Sequence, residues 1–388
     1  MFQLLAIALV LGVSKAARPF LDYPDTGAAD VFGSLTNNDF TLPPVDDIVG
    51  LPDFQYVAEQ HMNISAYTYY RNGAAGEWSY RNNLESFHRL RLRPKVMVDI
   101  DAIESTLPTT ILGHNYSAPF FIAPCARAGY ASETAELSLT RAAGAANILY
   151  VVTDFSSAPK AAIQAAKSPN QPLFQQLYID PSNDTATLAQ IRLAESQDFA
   201  ALVLTVDSAA DGNRHRAARY GVGSADAAYS SITWEKYDWM RNQTALPIVP
   251  KGIQTVEDAI IAVERGLPAI YISNHGGRQV DGSPSALEVV IEIKKRAPWV
   301  FDQIEVWADG GVRYGADVVK LLALGVRAVG IGRPFMFANV YGEAGVSRAI
   351  EIMMREVAID AANAGISDLR NVSESRVDLE SYSSNWGM

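Results

Sequence analysis

Short apolar runs alternate with longer stretches of helical character throughout the chain beyond residue 118. The runs are rich in β-branched residues and lack polar alternation, which is typical of parallel strands covered on both faces. Eight runs occur, each followed by a stretch rich in Ala, Leu, Glu and Lys, and this order predicts an α/β fold of the (β/α)8 barrel type. The predicted strands are Phe120–Cys125, Ile148–Asp154, Pro172–Ile179, Ala201–Ser208, Pro247–Gly252, Ala269–His275, Glu305–Gly311 and Ala328–Pro334.

A doubly wound α/β sheet is the main alternative for such an alternation. That fold carries a glycine-rich phosphate-binding turn after its first strand. This chain has Pro124, Cys125 and Ala126 at that point instead, and the barrel is therefore the favoured interpretation.

The N-terminal part of the chain has a different pattern. The apolar run Leu4–Val13 and the small residues after it predict a signal peptide over residues 1–17. Because no Lys or Arg precedes the run, a poorly ordered N-terminus is the alternative. Residues 18–50 are rich in Pro, Asp, Gly and Asn and predict an extended arm. Residues 51–388 are predicted to form one barrel domain, which begins with helices near residues 52–62 and 65–70.

Composition narrows the function classes. Hydrophobic residues make up 48% of the 388 residues, which is enough for a large core. The net charge of −11 argues against nucleic acid or an anionic membrane as a partner. One cysteine and five scattered histidines exclude a disulfide and leave no metal cluster to expect.

The leader and a set of glycosylation sequons bear on localisation. Five sequons for N-glycosylation occur, in modest excess over chance, and together with the leader they predict a secreted or secretory-pathway glycoprotein. The acceptor residues are Asn63, Asn115, Asn183, Asn242 and Asn371.

Polar residues gather where the predicted strands end. In a (β/α)8 barrel the active site lies at the carboxyl ends of the strands, so these side chains are predicted to share one rim. They are Gln176 and Tyr178, Thr205 and Asp207, Lys251, Ser273 to His275, Asp309 to Gly311, and Gly332 with Arg333.

The motif Ser273–Gln279 (SNHGGRQ) resembles the signature of the FMN-dependent (S)-2-hydroxy acid oxidases and dehydrogenases, such as the glycolate and lactate oxidases. The resemblance runs from about residue 55 to residue 367 and depends on several motifs at matching spacings. The other motifs are Ala66–Gly73, Gln176–Tyr178, Leu204–Asp207, Pro250–Gly252, Asp309–Arg313 and Ile331–Pro334.

The resemblance implies the residues of the substrate site. His275 is the expected base, because imidazole titrates near neutral pH, and Asp207 would pair with the imidazolium that forms. The alternative for Asp207 is a carboxylate that caps the next helix. Arg278 would bind the substrate carboxylate with its planar fork of donors. The same resemblance assigns Arg214 and Tyr69 to that carboxylate and Tyr178 to the substrate hydroxyl.

The resemblance also implies FMN as the cofactor. Lys251 would lie beside the flavin N1 and O2, and Gln176 and Thr205 beside its pyrimidine edge. The phosphate is expected in the loops after the last two strands, as in other barrels. The remaining residues assigned to the cofactor are Pro124, Cys125, Ala126, Ser273, Asp309, Gly310, Gly311, Arg313, Gly332 and Arg333.

Three departures from the family pattern bear on the substrate. Val152 and Asp154 are aligned with a serine and a tryptophan of glycolate-oxidase-like members, and a carboxylate there would favour a polar or cationic substrate. Cys125 replaces a common threonine, and we interpret it as a small buried residue. The loop Asp211–Ser231 is short, which predicts a more open site.

The predicted function is oxidation of an (S)-2-hydroxy acid to a 2-oxo acid with O2 as acceptor, giving H2O2. A dehydrogenase that uses a quinone or another carrier is the near alternative, and a flavin-binding protein without turnover is the more distant one. The motifs do not decide between removal of the C2 proton and removal of the hydroxyl proton. The resemblance alone implies a homo-oligomer, of which the tetramer is the common form.

Overall fold

Eight parallel strands close into a barrel in the computed structural model, which describes residues 28–32, 41–224 and 232–384. A two-stranded antiparallel hairpin precedes the barrel. The hairpin strands are β1 (Thr109–Ile111) and β2 (His114–Tyr116), and the barrel strands are β3 (Phe120–Ile122), β4 (Tyr150–Val152), β5 (Leu173–Leu177), β6 (Ala201–Thr205), β7 (Ile248–Ile253), β8 (Ala269–Ile272), β9 (Glu305–Asp309) and β10 (Ala328–Ile331). The barrel closes by pairing β10 with β3.

Helices surround the strands and precede them. They are α1 (Ala28–Phe32), α2 (Leu51–His61), α3 (Ile64–Arg71), α4 (Trp78–Arg89), α5 (Ala135–Ala145), α6 (Lys160–Ala165), α7 (Asp184–Ser196), α8 (His215–Arg219), α9 (Trp234–Arg241), α10 (Val256–Glu264), α11 (Ala286–Arg296), α12 (Val300–Gln303), α13 (Gly315–Ala323), α14 (Arg333–Ala338), α15 (Glu343–Asn363) and α16 (Leu379–Ser384). Short 3-10 turns lie at Val45–Asp47, Ile103–Thr106, Ala128–Tyr130, Asn339–Tyr341, Leu369–Asn371 and Glu374–Arg376.

The predicted barrel is confirmed, and the doubly wound alternative is wrong because the sheet closes on itself. All eight predicted runs contain a strand of the barrel. Most strands end two or more residues before the predicted run does, since the chain leaves the sheet where the polar residues of the rim begin. β7 is the exception and continues to Ile253.

Aromatic rings fill the inside of the barrel. Phe121 of β3, Phe174 of β5, Tyr271 of β8 and Trp307 of β9 are fully buried in one cluster, with ring centroids of neighbouring pairs 5.5 to 6.0 Å apart. A larger apolar layer lies between the strands and the helices. The filled interior makes the barrel a packed core, so a ligand can enter only at its ends.

The segment α3–α4 closes over the rim at the carboxyl ends of the strands. Arg333 at the start of α14 donates hydrogen bonds to the backbone carbonyls of Tyr70, Asn72 and Gly276 (2.7, 2.8 and 3.0 Å). The amide of Ala74 donates to the carbonyl of Gly277 (2.8 Å). The residues before the barrel are therefore part of the wall of the site.

The N-terminal predictions have different outcomes. The predicted signal peptide lies outside the described residues, as does most of the predicted arm. Within that arm, α1 is helical rather than extended, which corrects the prediction for residues 28–32. The predicted helices near 52–62 and 65–70 are α2 and α3.

The surface bears on the two predictions about targeting. The five predicted glycosylation acceptors are all exposed residues of the described chain. Among the described helices, none has the combination of length and apolar character needed to cross a membrane.

Candidate active site

A cleft opens at the carboxyl ends of the barrel strands. It contains nearly all of the residues that the sequence assigned to the substrate and the cofactor. Those that line it are Tyr69, Pro124, Cys125, Ala126, Gln176, Tyr178, Arg214, Lys251, His275, Arg278, Asp309, Gly310, Gly311, Arg313, Gly332 and Arg333. The structure therefore brings the predicted site together in space, while the roles of its members stay predictions.

His275 and Asp207 form a buried pair at this rim. The imidazole Nδ1 lies 2.9 Å from Asp207 Oδ1, the Asp207 side chain is fully buried, and the His275 side chain is 15% exposed. Asp207 does not line the cleft, because it lies behind the imidazole. The contact with His275 fits the predicted pairing of Asp207 with the imidazole, which a carboxylate that only caps a helix would not make.

The backbone of His275 is held in an uncommon conformation. Its φ of 58° lies in the left-handed region, where a non-glycine residue costs about 1 kcal/mol or more. The hydroxyl of Ser273 accepts a hydrogen bond from the His275 amide (3.1 Å) and another from the ammonium of Lys251 (3.1 Å). Ser273 thus links the base to the lysine. Its assignment to the cofactor stays a prediction.

Burial decides the protonation of the pair. It lowers the pKa of His275 below its usual value, and the positive charges of Lys251 and Arg214 lower it further, while Asp207 only partly opposes them. Burial alone would raise the pKa of Asp207, but His275 and Lys251 outweigh it and hold that pKa below its usual value. At neutral pH the pair is therefore a neutral imidazole and a carboxylate. With Nδ1–H donated to Asp207, the imidazole presents its basic Nε2.

Two guanidinium groups lie beside this base, and neither forms an ion pair with a carboxylate of the described residues. Arg278 donates to the carbonyl of Tyr69 (3.1 Å), and its buried Nε has no hydrogen-bond partner within the described chain. Arg214 donates to the side-chain oxygen of Gln279 (2.6 Å) and to the carbonyl of Arg278 (3.2 Å). Burial and the charge of Arg278 lower the pKa of Arg214 to about 10. Two half-buried cations whose hydrogen bonds within the described chain go to neutral acceptors are suited to an anionic ligand.

Tyr178 completes the substrate side of the cleft. Its hydroxyl lies 3.4 Å from His275 Nε2 and 3.5 Å from the amide nitrogen of Gln176. A substrate hydroxyl bound to Tyr178 would therefore also lie within reach of the base. This geometry fits the role that the resemblance assigns to Tyr178.

Gln176 connects the cleft to a second predicted cofactor residue. Its amide donates a hydrogen bond of 3.0 Å to the hydroxyl of Thr205, and both side chains are buried. Thr205 accepts this hydrogen bond next to Gln176, which lines the cleft. The assignment of Thr205 to the flavin edge stays a prediction.

The other end of the cleft fits a phosphate. Gly310 and Gly311 both have φ of 90°, and a Cβ at Gly311 would overlap the backbone carbonyl of Asn83. Arg313 and Arg333 line the same end, where glycine backbones let amides approach an anion. Asp309 adds a buried carboxylate oxygen, Oδ1, that has no hydrogen-bond partner within the described chain. Cations and open backbone at one end and an unsatisfied acceptor further in together match the phosphate and ribityl hydroxyls of FMN.

The structure corrects the sequence interpretation of the wall after β4. Asp154 was expected near the substrate side chain, but its carboxylate accepts a hydrogen bond from the backbone amide of Tyr178 (2.9 Å) and does not line the cleft. Val152 is fully buried and does not line the cleft either. Phe155 lines it instead, with its ring 5.3 Å from that of Tyr178. Alternation of side-chain direction in this loop places the aromatic ring, and not the carboxylate, at the site.

Sequence reasoning also missed Ser208 and Ser224, which line the cleft. Ser224 belongs to the short loop Asp211–Ser231, whose residues 225–231 are outside the described part. The backbone carbonyl of Ser224 accepts a hydrogen bond from Arg127 (3.4 Å). Only the position of Ser208 directly after the motif Leu204–Asp207 could have indicated it.

Cys125 has the environment of a packed side chain. Burial raises the pKa of its thiol, so the reactive thiolate is disfavoured. A Cβ at Gly332 would lie 3.1 Å from its sulfur. Cys125 is only partly buried and lines the cleft, which corrects its interpretation as a buried residue.

Comparison with known proteins gives a consistent result. The sequence profile of the FMN-dependent dehydrogenase family matches residues 58–228 and 223–379. A cytochrome-type L-lactate dehydrogenase of Saccharomyces cerevisiae is 33% identical over 371 residues, which cover 87% of this chain and 62% of the yeast protein. A peroxisomal (S)-2-hydroxyacid oxidase of Arabidopsis thaliana is 35% identical over 363 residues, which cover 87% of this chain and 98% of that protein. The chain thus spans less than two thirds of the yeast relative and nearly all of the plant one.

Solved structures with the same architecture are similar as well. The flavin-binding domain of baker's yeast flavocytochrome b2 superposes with a TM-score of 0.83 at 32% identity, over 88% of this chain and 89% of that one. A mandelate oxidase variant with (S)-mandelic acid superposes with a TM-score of 0.78 at 31% identity, over 85% of this chain and 98% of that one.

The glycine at position 311 gives a first test of the cleft. We expect Gly311→Ala to destabilise the protein by about 3–5 kcal/mol and to reduce its flavin content, because the new Cβ overlaps the Asn83 carbonyl and strains a positive φ. Gly113→Ala is the matched control: its φ is also positive (80°), but no atom lies within 4 Å of the new Cβ. It should cost only about 1 kcal/mol. Thermal unfolding and flavin absorbance measure both effects. Equal losses of stability and of flavin in the two variants would contradict a requirement for glycine at position 311 of the cleft.

Proposed function

The chain belongs to the FMN-dependent dehydrogenase family, and we propose that it oxidises an (S)-2-hydroxy acid to the corresponding 2-oxo acid with O2 as the electron acceptor. The reaction consumes one hydroxy acid and one O2 and yields one 2-oxo acid and one H2O2. The observation that carries the proposal is His275, hydrogen-bonded to Asp207, beside two guanidinium groups that contact no described carboxylate.

Substrate binding begins with the carboxylate. Arg278 and Arg214 offer N–H donors that have no anionic partner among the described residues, and a carboxylate accepts hydrogen bonds from such donors in charge-assisted pairs. Tyr69 adds a buried side chain whose ring lies against the Arg278 guanidinium, 5.1 Å from its central carbon. These groups fix one end of the substrate, so its C2 carbon is placed near the base.

Proton removal falls to His275. Its Nε2 does not contact Asp207 and faces the Tyr178 hydroxyl. A substrate whose hydroxyl group contacts both can lose to Nε2 either its hydroxyl proton or the proton on C2. The imidazolium that results is stabilised by the Asp207 carboxylate at 2.9 Å. When bound, FMN supplies the two-electron acceptor for the half-reaction. Lys251 provides a positive charge in the same cleft.

The choice of O2 is supported by the similarity to an oxidase. The plant (S)-2-hydroxyacid oxidase is 35% identical to this chain over 363 residues.

An anaerobic experiment tests the half-reaction and the acceptor separately. The purified protein is mixed with a panel of aliphatic, aromatic and polar (S)-2-hydroxy acids while the visible flavin absorbance is recorded. We expect at least one class to bleach the flavin and air to restore the colour with one H2O2 for each 2-oxo acid. Bleaching without reoxidation by air, but with reoxidation by a quinone, would identify a dehydrogenase. A flavin that no hydroxy acid bleaches would point to a binding protein without turnover.

His275→Gln tests the assignment of the base. We expect the flavin to stay bound and its rate of reduction to fall by about 10²–10⁴-fold, the usual contribution of a general base. His61→Gln is the control, since His61 is exposed at the end of α2, away from the cleft. Stopped-flow absorbance measures both rates. Reduction of the His275 variant at the wild-type rate would remove the residue from this role.

The pH profile of kcat/KM tests the same assignment through the direction in which activity is lost. Because the base must be neutral, the activity is lost as the pH falls through the pKa of His275, which burial places below its usual value of 6.5. The acidic limb should therefore lie below pH 6.5 in the wild type. An acidic limb well above that pH would contradict a neutral imidazole in the free enzyme.

Phe155 is expected to select the substrate side chain. Phe155→Ala should raise the ratio of kcat/KM for an aromatic over a methyl-bearing hydroxy acid about tenfold or more, because the ring beside Tyr178 is removed from the cleft wall. Asp154→Asn is the control, because the new side-chain oxygen can still accept the hydrogen bond from the backbone N–H of Tyr178 and the side chain lies outside the cleft. Its ratio should stay within about twofold of the wild type. A larger change for Asp154→Asn than for Phe155→Ala would restore the interpretation made from the sequence.

A further inference from the structure

Tyr271 is a polar residue in the apolar interior of the barrel. It lies on β8, is fully buried, and its ring packs against Phe121 (5.5 Å between centroids) and Trp307 (6.0 Å). A phenylalanine would make the same ring contacts, so packing does not account for the hydroxyl. A buried hydroxyl is destabilising unless it forms a hydrogen bond. The acceptor of that hydrogen bond therefore indicates the role of the Tyr271 hydroxyl.

The partner is a cofactor-site residue. The Tyr271 hydroxyl donates a hydrogen bond of 2.9 Å to Asp309 Oδ2. Gly330 on β10 leaves the space for this contact, because a Cβ there would overlap the hydroxyl. Burial and the Asp309 charge raise the pKa of Tyr271 well above its usual value, so the hydroxyl stays protonated and continues to donate.

The hydrogen bond leaves the rest of the carboxylate available. Asp309 lines the cleft, and its buried Oδ1 has no hydrogen-bond partner within the described chain. The ammonium of Lys251 lies 3.7 Å from Oδ2 and 5.3 Å from the centre of the Tyr271 ring, and it donates to Ser273 Oγ instead. Tyr271 thus occupies the place on Oδ2 that Lys251 would otherwise take.

We propose that Tyr271 is a positioning residue for the flavin: it fixes Asp309 with one oxygen directed at the cofactor's ribityl hydroxyls and keeps Lys251 from closing onto that carboxylate. This inference rests on the proposed function, since it requires FMN in the cleft. It adds to that function a residue from inside the barrel that does not itself line the cleft.

The test compares Tyr271→Phe with a buried tyrosine whose hydroxyl has no such task. Tyr150 on β4 is also fully buried, and its hydroxyl has no hydrogen-bond partner among the described residues. The Kd for FMN is measured from the flavin fluorescence released when the holoprotein is serially diluted. We expect Tyr271→Phe to raise the Kd about tenfold to a hundredfold, the effect of losing a hydrogen bond to a charged group. Tyr150→Phe should change it less than about twofold.

Two further measurements separate positioning from general packing. In the Asp309→Ala background, Tyr271→Phe should have almost no additional effect on the Kd, because its target is gone. The midpoint potential of the bound flavin should also fall in Tyr271→Phe, since Lys251 is then drawn to Asp309 and offsets less negative charge on the reduced flavin. Additive effects of the two substitutions, or an unchanged Kd in Tyr271→Phe, would overturn the inference.

A second route to the same hydrogen bond covers poor folding of Tyr271→Phe. Gly330→Ala displaces the hydroxyl without deleting it, and it should raise the Kd for FMN in the wild-type background but less in the Tyr271→Phe background. An equal increase in both backgrounds would also overturn the inference. If the wild type and Tyr150→Phe themselves hold no FMN, the proposed function fails, which is a different outcome from a failure confined to Tyr271.

Discussion

The concentration of positive charge at one rim of the barrel is the constraint on which the rest of the site depends. Lys251, Arg214, Arg278, Arg313 and Arg333 line a single cleft. Like charges repel strongly where water is excluded, and burial with this repulsion lowers the pKa of Arg214 to about 10 and that of Arg333 to about 9. The groups are still charged at neutral pH, so the protein holds them in a state that an anion would stabilise.

The fold tolerates these charges by giving them neutral acceptors. Arg333 donates to three backbone carbonyls, and Arg214 donates to a carbonyl and to the amide of Gln279. Carboxylate partners would bind the cations more tightly but would neutralise them before a ligand arrived. The same carbonyls belong to the segment α3–α4 and to the loop after β8. The contacts that satisfy the arginines therefore also close the wall of the site.

The sequence was sufficient for the barrel because a run of buried strands separated by helices leaves few other architectures. It was sufficient for most of the cleft because strand ends meet at one rim. It failed where the direction of a side chain decides its role. Asp154 and Phe155 are neighbours, and no pattern in the residues shows which of the two faces the cleft.

The interior residue Tyr271 shows a second reason for such failures. Within the apolar run of β8 it fits the pattern of a barrel strand, and nothing nearby in sequence indicates the partner, which is 38 residues away on β9. Pairing of β8 with β9 and of β9 with β10 brings the hydroxyl to Asp309 and places the small Gly330 opposite Asp309.

The two carboxylates of the rim are held by a common principle. Asp207 is oriented by an imidazole N–H and Asp309 by a phenol O–H, both neutral donors at neutral pH. In each pair the cations nearby are not used for direct hydrogen bonds to the carboxylate: Lys251 stays 3.7 Å from Asp309. Neutral donors fix an acid in place without removing its charge or consuming a cation. This site must bind a phosphate and a substrate carboxylate while its base stays deprotonated, so it needs charged carboxylates and available cations together. This explains why its acids and its cations are oriented by uncharged groups.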